Sequence, residues 1–343
     1  MDPTDCRPLI QGIHPMWPFV TSSRQRTRTR HISPRRTRLY RPHGTPLEDR
    51  CLPSASLSSS GPPAPLVGAP VIWTATASGH GATPVYQFRV GPLGGPSRVV
   101  RDFSPGNSFT WNPMQEGTYV IQVTIKDGFG AATGESATAS YTAESRVAGS
   151  TAVVSPTSNP LVVLYSAPPS AGRSMFVQFA QLGPNPSWSN TAPLPIVPGE
   201  STNFLVAGLR PSTTYLMRDI LDNGTVSAPL TFTTGSLPSY LTFPGFTEQK
   251  GPDAGTDLTQ DTVLHMGVSP PNGTVNTLAT DLRGDVVWYY DPVANAFPSF
   301  ATSLVPGGTV LLLGGQVDNV AGGSTLREVD LAGDTGQIGR AHV

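Results

Sequence analysis

The side chains able to do chemistry are few and unevenly placed. The six histidines are His14, His31, His43, His80, His265 and His342. A histidine acts as nucleophile or general base when a partner orients it and a substrate can reach it. His265 alternates within a short apolar run, Thr262-Val263-Leu264-His265-Met266-Gly267-Val268, and reads as a packed or rim residue. The ordered carboxylates lie in Thr280-Asp281-Leu282-Arg283-Gly284-Asp285, which returns as Val329-Asp330-Leu331-Ala332-Gly333-Asp334 after 49 residues. An aspartate three residues before a glycine suits a turn, where its carboxylate takes backbone N–H groups. Asp281, Arg283, Asp285, Asp330 and Asp334 are therefore expected to make turn hydrogen bonds rather than to hold a metal. Gly307-Gly308, Gly314-Gly315 and Gly322-Gly323 read as loop glycines, not phosphate cradles. No catalytic, cofactor-binding or metal-ligating residue is assigned, and no cofactor is expected.

The repeat sets the architecture of the C-terminal part. A period of about 40–50 residues in strand-rich sequence indicates propeller blades, and a propeller closes with about 4–8 of them. Residues 240–337 hold about two, so the chain reads as a fragment of a longer protein. Residues 338–343, Ile338-Gly339-Arg340-Ala341-His342-Val343, look like the readthrough of a sequencing adapter, which gives His342 no biological role.

Glycine and proline number 36 each and charged residues make up 13% of the 343, with no long amphipathic helical pattern. That is the profile of many short strands joined by turns. The expected fold is all-β: a disordered N-terminus (1–65), two Ig-like β-sandwich modules (66–146 and 153–235) and the start of a β-propeller (240–337). The net charge of −1 hides a basic run, because residues 24–41 contain eight arginines and no acid. Few aromatics interleave there and no binding fold follows, so a targeting or solvated tail is expected and no nucleic-acid partner. Cys6 and Cys51 lie outside the expected modules, which leaves those modules without a disulfide framework. No stretch reaches the ~18–20 apolar residues of a transmembrane helix.

Met16-Trp17-Pro18-Phe19 is an alternative start to Met1. Downstream, Leu47-Glu48-Asp49-Arg50-Cys51-Leu52-Pro53-Ser54 resembles the LEPR-XLL type signature of large bacterial envelope proteins, departing from it at Asp49 and Pro53. The resemblance implies export to the cell envelope, the periplasm or the exterior, although the apolar core of a signal peptide is not evident.

The first module announces itself in residues 117–127. Tyr119, Ile121, Val123 and Ile125 share one face; Thr118, Gln122, Thr124 and Lys126 lie on the other; and Asp127-Gly128 closes the strand. This stretch, with Trp111-Asn112-Pro113 before it, is similar to Ig-like and PKD-like bacterial surface modules. Trp73, Phe88, Trp111 and Tyr119 are expected in its core. In the second module, Gly208-Leu209-Arg210-Pro211-Ser212-Thr213-Thr214-Tyr215 followed by residues 227–234 resembles the later strands of a fibronectin type III domain. The resemblance makes Tyr215 the tyrosine-corner residue, with a structural role. Asn223-Gly224 is expected to turn tightly. Asn223-Gly224-Thr225 and Asn272-Gly273-Thr274 match the glycosylation pattern, which turn residues satisfy easily.

In the third part, Asp281-Leu282-Arg283-Gly284 with Val286-Val287-Trp288-Tyr289, then Pro306-Gly307-Gly308-Thr309-Val310 and Glu328-Val329-Asp330-Leu331-Ala332-Gly333, resemble a blade of the bacterial arylsulfate sulfotransferases. The family joins an N-terminal sandwich to a six-bladed propeller. It moves a sulfuryl group between phenols through a histidine nucleophile supported by further histidines and an arginine. The resemblance implies phenolic sulfate esters and phenols as partners, with the catalytic histidines in later blades. Two other readings remain open: a non-catalytic cell-surface adhesion or scaffold protein, and a quinoprotein-like dehydrogenase. A truncated propeller is also expected to leave residues 309–313 as an exposed apolar edge.

Overall fold

The computed structural model describes residues 53–61, 65–81, 83–246, 253, 262–267, 274–295, 297, 299–305, 308–316 and 324–341. The basic run, the core of the envelope-type signature (47–52), both cysteines, His14, His31, His43, His342, Asn272 and the expected disorder of residues 1–52 lie outside them. Among the described residues every regular element is a strand, and no helix is long and apolar enough to cross a membrane.

Seven strands form the first sandwich: β1 (Ser54–Ser60), β2 (Val71–Ser78), β3 (Val85–Pro92), β4 (Arg98–Ser104), β5 (Ser108–Trp111), β6 (Gly117–Lys126) and β7 (Glu135–Ala143). One sheet runs β1-β2-β5 and the other β4-β3-β6-β7. The alternation of β6 does what a period of two requires: Ile121, Val123 and Ile125 are fully buried against Trp73, Phe88 and Phe109. Trp73 and Trp111 both pack in T-shaped fashion with Tyr141, at 5.4 and 5.9 Å between ring centres. The module begins earlier than the expected residue 66, because β1 pairs with β2 from Ser54↔Ser78 to Ser60↔Ile72. Five serines hide this strand in the sequence, and only Ala55 and Leu57 reach the core.

The second sandwich comprises β8 (Val153–Pro156), β9 (Val163–Ala167), β10 (Ser174–Gln181), β11 (Ser189–Asn190), β12 (Leu194–Pro195), β13 (Thr202–Val206), β14 (Thr214–Leu221) and β15 (Leu230–Thr233). Its sheets run β8-β9-β13 and β11-β10-β14-β15, with β12 also on β10. The strand order repeats that of the first sandwich. Tyr215 is the second residue of β14, and its hydroxyl accepts the backbone N–H of Arg210 at 2.9 Å, the tyrosine corner of such sandwiches. Tyr119, expected only as core, makes a corner of its own: its hydroxyl donates to the carbonyl of Gln115 at 3.0 Å.

Two antiparallel meanders follow. The first is β16 (Thr262–Met266), β17 (Thr277–Asp281) and β18 (Val286–Tyr289); the second is β19 (Ser299–Val305), β20 (Thr309–Gln316), β21 (Ser324–Val329) and β22 (Thr335–Ala341). Ala279, Val287 and Trp288 of the first pack on Val310, Leu312 and Val329 of the second. The opposite side of the first meander, at Leu278 and Tyr289, packs on Leu161 and Leu241. The described residues contain these two meanders and no closed ring of blades. The expected apolar edge is not found at residues 309–313: β20 pairs with β19 on one side and β21 on the other, and Val310 and Leu312 are buried. Residues 338–341 lie in a strand. They complete β22, where Ile338 pairs in parallel with Arg101 of β4 and so joins the second meander to the first sandwich.

Candidate functional site

The two copies of the aspartate repeat fold alike. In the first, Asp281 Oδ1 accepts the N–H groups of Arg283 and Asp285 at 2.9 and 3.0 Å. Gly284 N–H closes the turn on the Asp281 carbonyl at 3.1 Å. In the second, Asp330 Oδ1 accepts the N–H of Asp334 at 2.9 Å, and Gly333 N–H reaches the Asp330 carbonyl at 3.0 Å. Gly284 and Gly333 both sit at φ 88°, a left-handed conformation that only glycine adopts cheaply. The expected turn role is what the structure holds for the side chains of Asp281 and Asp330, whereas those of Asp285 and Asp334 meet Arg210 and Asn112.

The second carboxylate oxygens point away from the turns, to partners on the sandwiches. Asp281 Oδ2 receives both the Nε, at 3.0 Å, and the Nη2 of Arg210. Asp285 lies 3.8 Å from the same guanidinium. Asp281 is buried, so the ion pair is largely screened from water. The second turn meets an amide instead. Asn112 Nδ2 donates to Asp334 Oδ2 at 2.8 Å and approaches Asp330 Oδ2 at 3.4 Å. These two carboxyls are held differently: burial first and the Asp334 charge second push the Asp330 carboxyl up to about 7, and burial raises Asp334 as well.

Clefts flank both joints. A cavity of about 370 Å³ lies beside the Arg210–Asp281 pair, walled by Phe179, Leu182, Pro186 and Val287. Cavities of about 580 and 600 Å³ meet Asp334 from two sides. The other singled-out residues are elsewhere. His265 shares a hydrogen bond with Thr280 Oγ1 at 2.9 Å and lies against the Phe246 ring; burial lowers its pKa. His80 Nδ1 meets Asp127 at 2.9 Å, and that carboxyl is held below its ordinary value by the Gly81 N–H first and His80 second. Among the described residues no three His, Cys, Asp or Glu side chains gather as a metal would need.

No family model matches the chain, and no curated protein does. Among similar solved structures is one of three fibronectin domains, FN1–FN3, of chicken CNTN1. It is 14% identical, with a TM-score of 0.21, over 54% of this chain and 67% of that one. A two-domain fibronectin type III segment of chicken tenascin is 17% identical, with a TM-score of 0.22, over 54% of this chain and 99% of that one. Strand order and tyrosine corners make both modules fibronectin type III-like sandwiches.

The chemistry open to the joints follows from their partners. Arg210 occupies the free oxygen of Asp281, which suits a structural clamp. Asp330 and Asp334 share one amide donor, and the Asp330 carboxyl, raised to about 7, can take up or release a proton near neutrality. Arg210 and Asn112 were not legible as partners of these turns from local sequence.

Proposed function

We propose that this chain is the N-terminal scaffold of an exported arylsulfate sulfotransferase-like protein, in which two fibronectin type III-like sandwiches hold the first blades of a propeller. The observation that carries this reading is the structural repeat. The first meander has a bulge between Ala279 and Thr280, and the second has one between Glu328 and Val329, 49 residues on. The register around each bulge also repeats: Ala279 faces Trp288, and Glu328 faces Gln337. Shared bulge and register mark one supersecondary unit used twice.

The face of the first meander that carries Leu264, Ala279 and Trp288 packs on the second meander. Its counterpart on the second, with Leu311, Leu313 and Leu326, is half-buried. A third meander stacked there would continue the array, as blade packing requires. In this reading sulfuryl transfer is the work of histidines in such further meanders. An imidazole nitrogen attacks the sulfur of a phenolic sulfate, the phenolate leaves, and the acceptor phenol then takes the sulfuryl group. Cationic side chains offset the charge on the sulfuryl oxygens.

The test is release of p-nitrophenolate from p-nitrophenyl sulfate in the presence of phenol. Residues 53–341 alone are expected to be inactive, whereas a protein carrying further meanders with inward histidines is expected to be active and to lose that activity when those histidines become alanine. Inactivity of the longer protein would sink the enzyme reading in favour of the surface scaffold.

A further inference from the structure

The first sandwich and the second meander are tied by a thin joint. Their sheets meet through a single parallel pair, Ile338↔Arg101. Beside it, the Asn112 amide of the sandwich reaches the two carboxyls of the meander's turn. One N–H₂ group thus serves two acids, while the Oδ1 atom of the same amide is buried without a donor. An unpaired buried acceptor is costly, and protonating one of the carboxyls at the amide adds an O–H donor to the group. Cavities on both sides of Asp334 leave room for the turn to shift.

We propose that Asn112, Asp330 and Asp334 form a proton-operated latch between the first sandwich and the second meander, shut when the carboxyl pair holds a proton and slackened when both acids are ionised. With one proton, the pair carries a single charge and the added O–H can satisfy the amide oxygen. With none, two like charges face one amide across half-buried surroundings. Other charged or titratable groups line the two cavities that flank the pair. Arg98 of β4, Tyr119 of β6 and Glu328 of β21 line one cavity. Arg101 of β4 and Arg327 of β21 line the other, where Arg101 donates to Ser104 and to the Ser108 carbonyl, and Arg327 donates to the Asn295 carbonyl. The raised Asp330 carboxyl puts the transition near neutral pH.

Hydrogen exchange on the whole chain tests this, read as protection factors so that intrinsic exchange is removed. Protection of β4 and β22 amides is expected to fall as pH rises from about 4 to about 7, by up to about tenfold per pH unit for one released proton, and to level off above that. Protection along β6 and β7 should stay constant. Asp334→Asn is expected to hold the joint protected across the range; Asp330→Asn supplies a second arm should the first variant fold poorly. Asn112→Ala should lose protection at low pH too. A joint whose protection does not change with pH overturns the proposal. So does a pH step that survives both asparagine variants, or one shared equally by β6 and β7.

Discussion

Arg210 holds Asp281 across the joint between the second sandwich and the first meander, while its own backbone N–H is fixed by the Tyr215 hydroxyl. A residue of the tyrosine corner is thereby also the residue that seats the first repeat turn. The fold of one module and the placement of the next depend on the same few atoms.

Removing that guanidinium leaves a buried carboxylate without its cation. Breaking a buried pair costs about 3–5 kcal/mol, and the partial exposure of Arg210 argues for less. Arg210→Ala is expected to destabilise the chain by about 2 kcal/mol. Asp281→Asn should cost less, because an amide oxygen can still accept the N–H groups of Arg283 and Asp285. Urea midpoints of the two variants check the order, and equal losses would contradict a separate turn role for Oδ1.

The two tyrosine corners differ in what water can replace. Tyr215→Phe strips the acceptor from the Arg210 N–H in a buried setting, an expected loss of about 1–2 kcal/mol. Tyr119→Phe frees a carbonyl near the surface, where water can substitute, and about 0.5–1 kcal/mol is expected. Thermal melts of both variants decide the comparison. A larger loss from Tyr119→Phe would show that the first corner is the better protected.

The sequence is most legible where one physical constraint acts locally. β6 reads directly because burial on one face imposes a period of two, and the Asp–Gly turns read because glycine alone suits their backbone. Tyr215 is recognisable because its corner partner is five residues away. β1 is hidden because serines carry no alternation signal and its strand identity comes from pairing with β2. The joints are hidden for a stronger reason. Arg210 lies 71 residues from Asp281, and Asn112 lies 218 and 222 residues from Asp330 and Asp334. No local pattern encodes such partners, so the turns look self-contained until the chain is folded. The expected apolar edge fails for the same reason: neighbouring strands, not the strand's own composition, determine whether 309–313 is exposed.

Gly284 and Gly333 have the same backbone conformation but different surroundings. A Cβ at Gly284 would come within 3.1 Å of Phe246 Cβ, whereas one at Gly333 meets nothing closer than 3.9 Å. Left-handed strain costs an alanine roughly 1–2 kcal/mol at either site, and the tight contact adds to it at the first. Gly284→Ala is thus expected to be the more damaging substitution, measured as the difference in unfolding midpoint. The reverse order would mean that Phe246 moves aside freely.

Stability should also respond to pH in two opposed windows. The native Asp330 carboxyl sits at about 7, above its unfolded value of about 4. The native chain therefore binds the extra proton between those values, and stability falls as pH rises through that window. Asp127 works in the other direction. Its native pKa is depressed, so its contribution is present above the ordinary carboxylate value and is lost as pH falls through its folded pKa. Asp330→Asn should remove the decline toward neutrality while leaving the acid limb intact, and Asp127→Asn should flatten the acid limb alone. Urea titrations of the whole chain at closely spaced pH values separate the two. If Asp330→Asn leaves the neutral limb unchanged, the buried turn is not the group that titrates there.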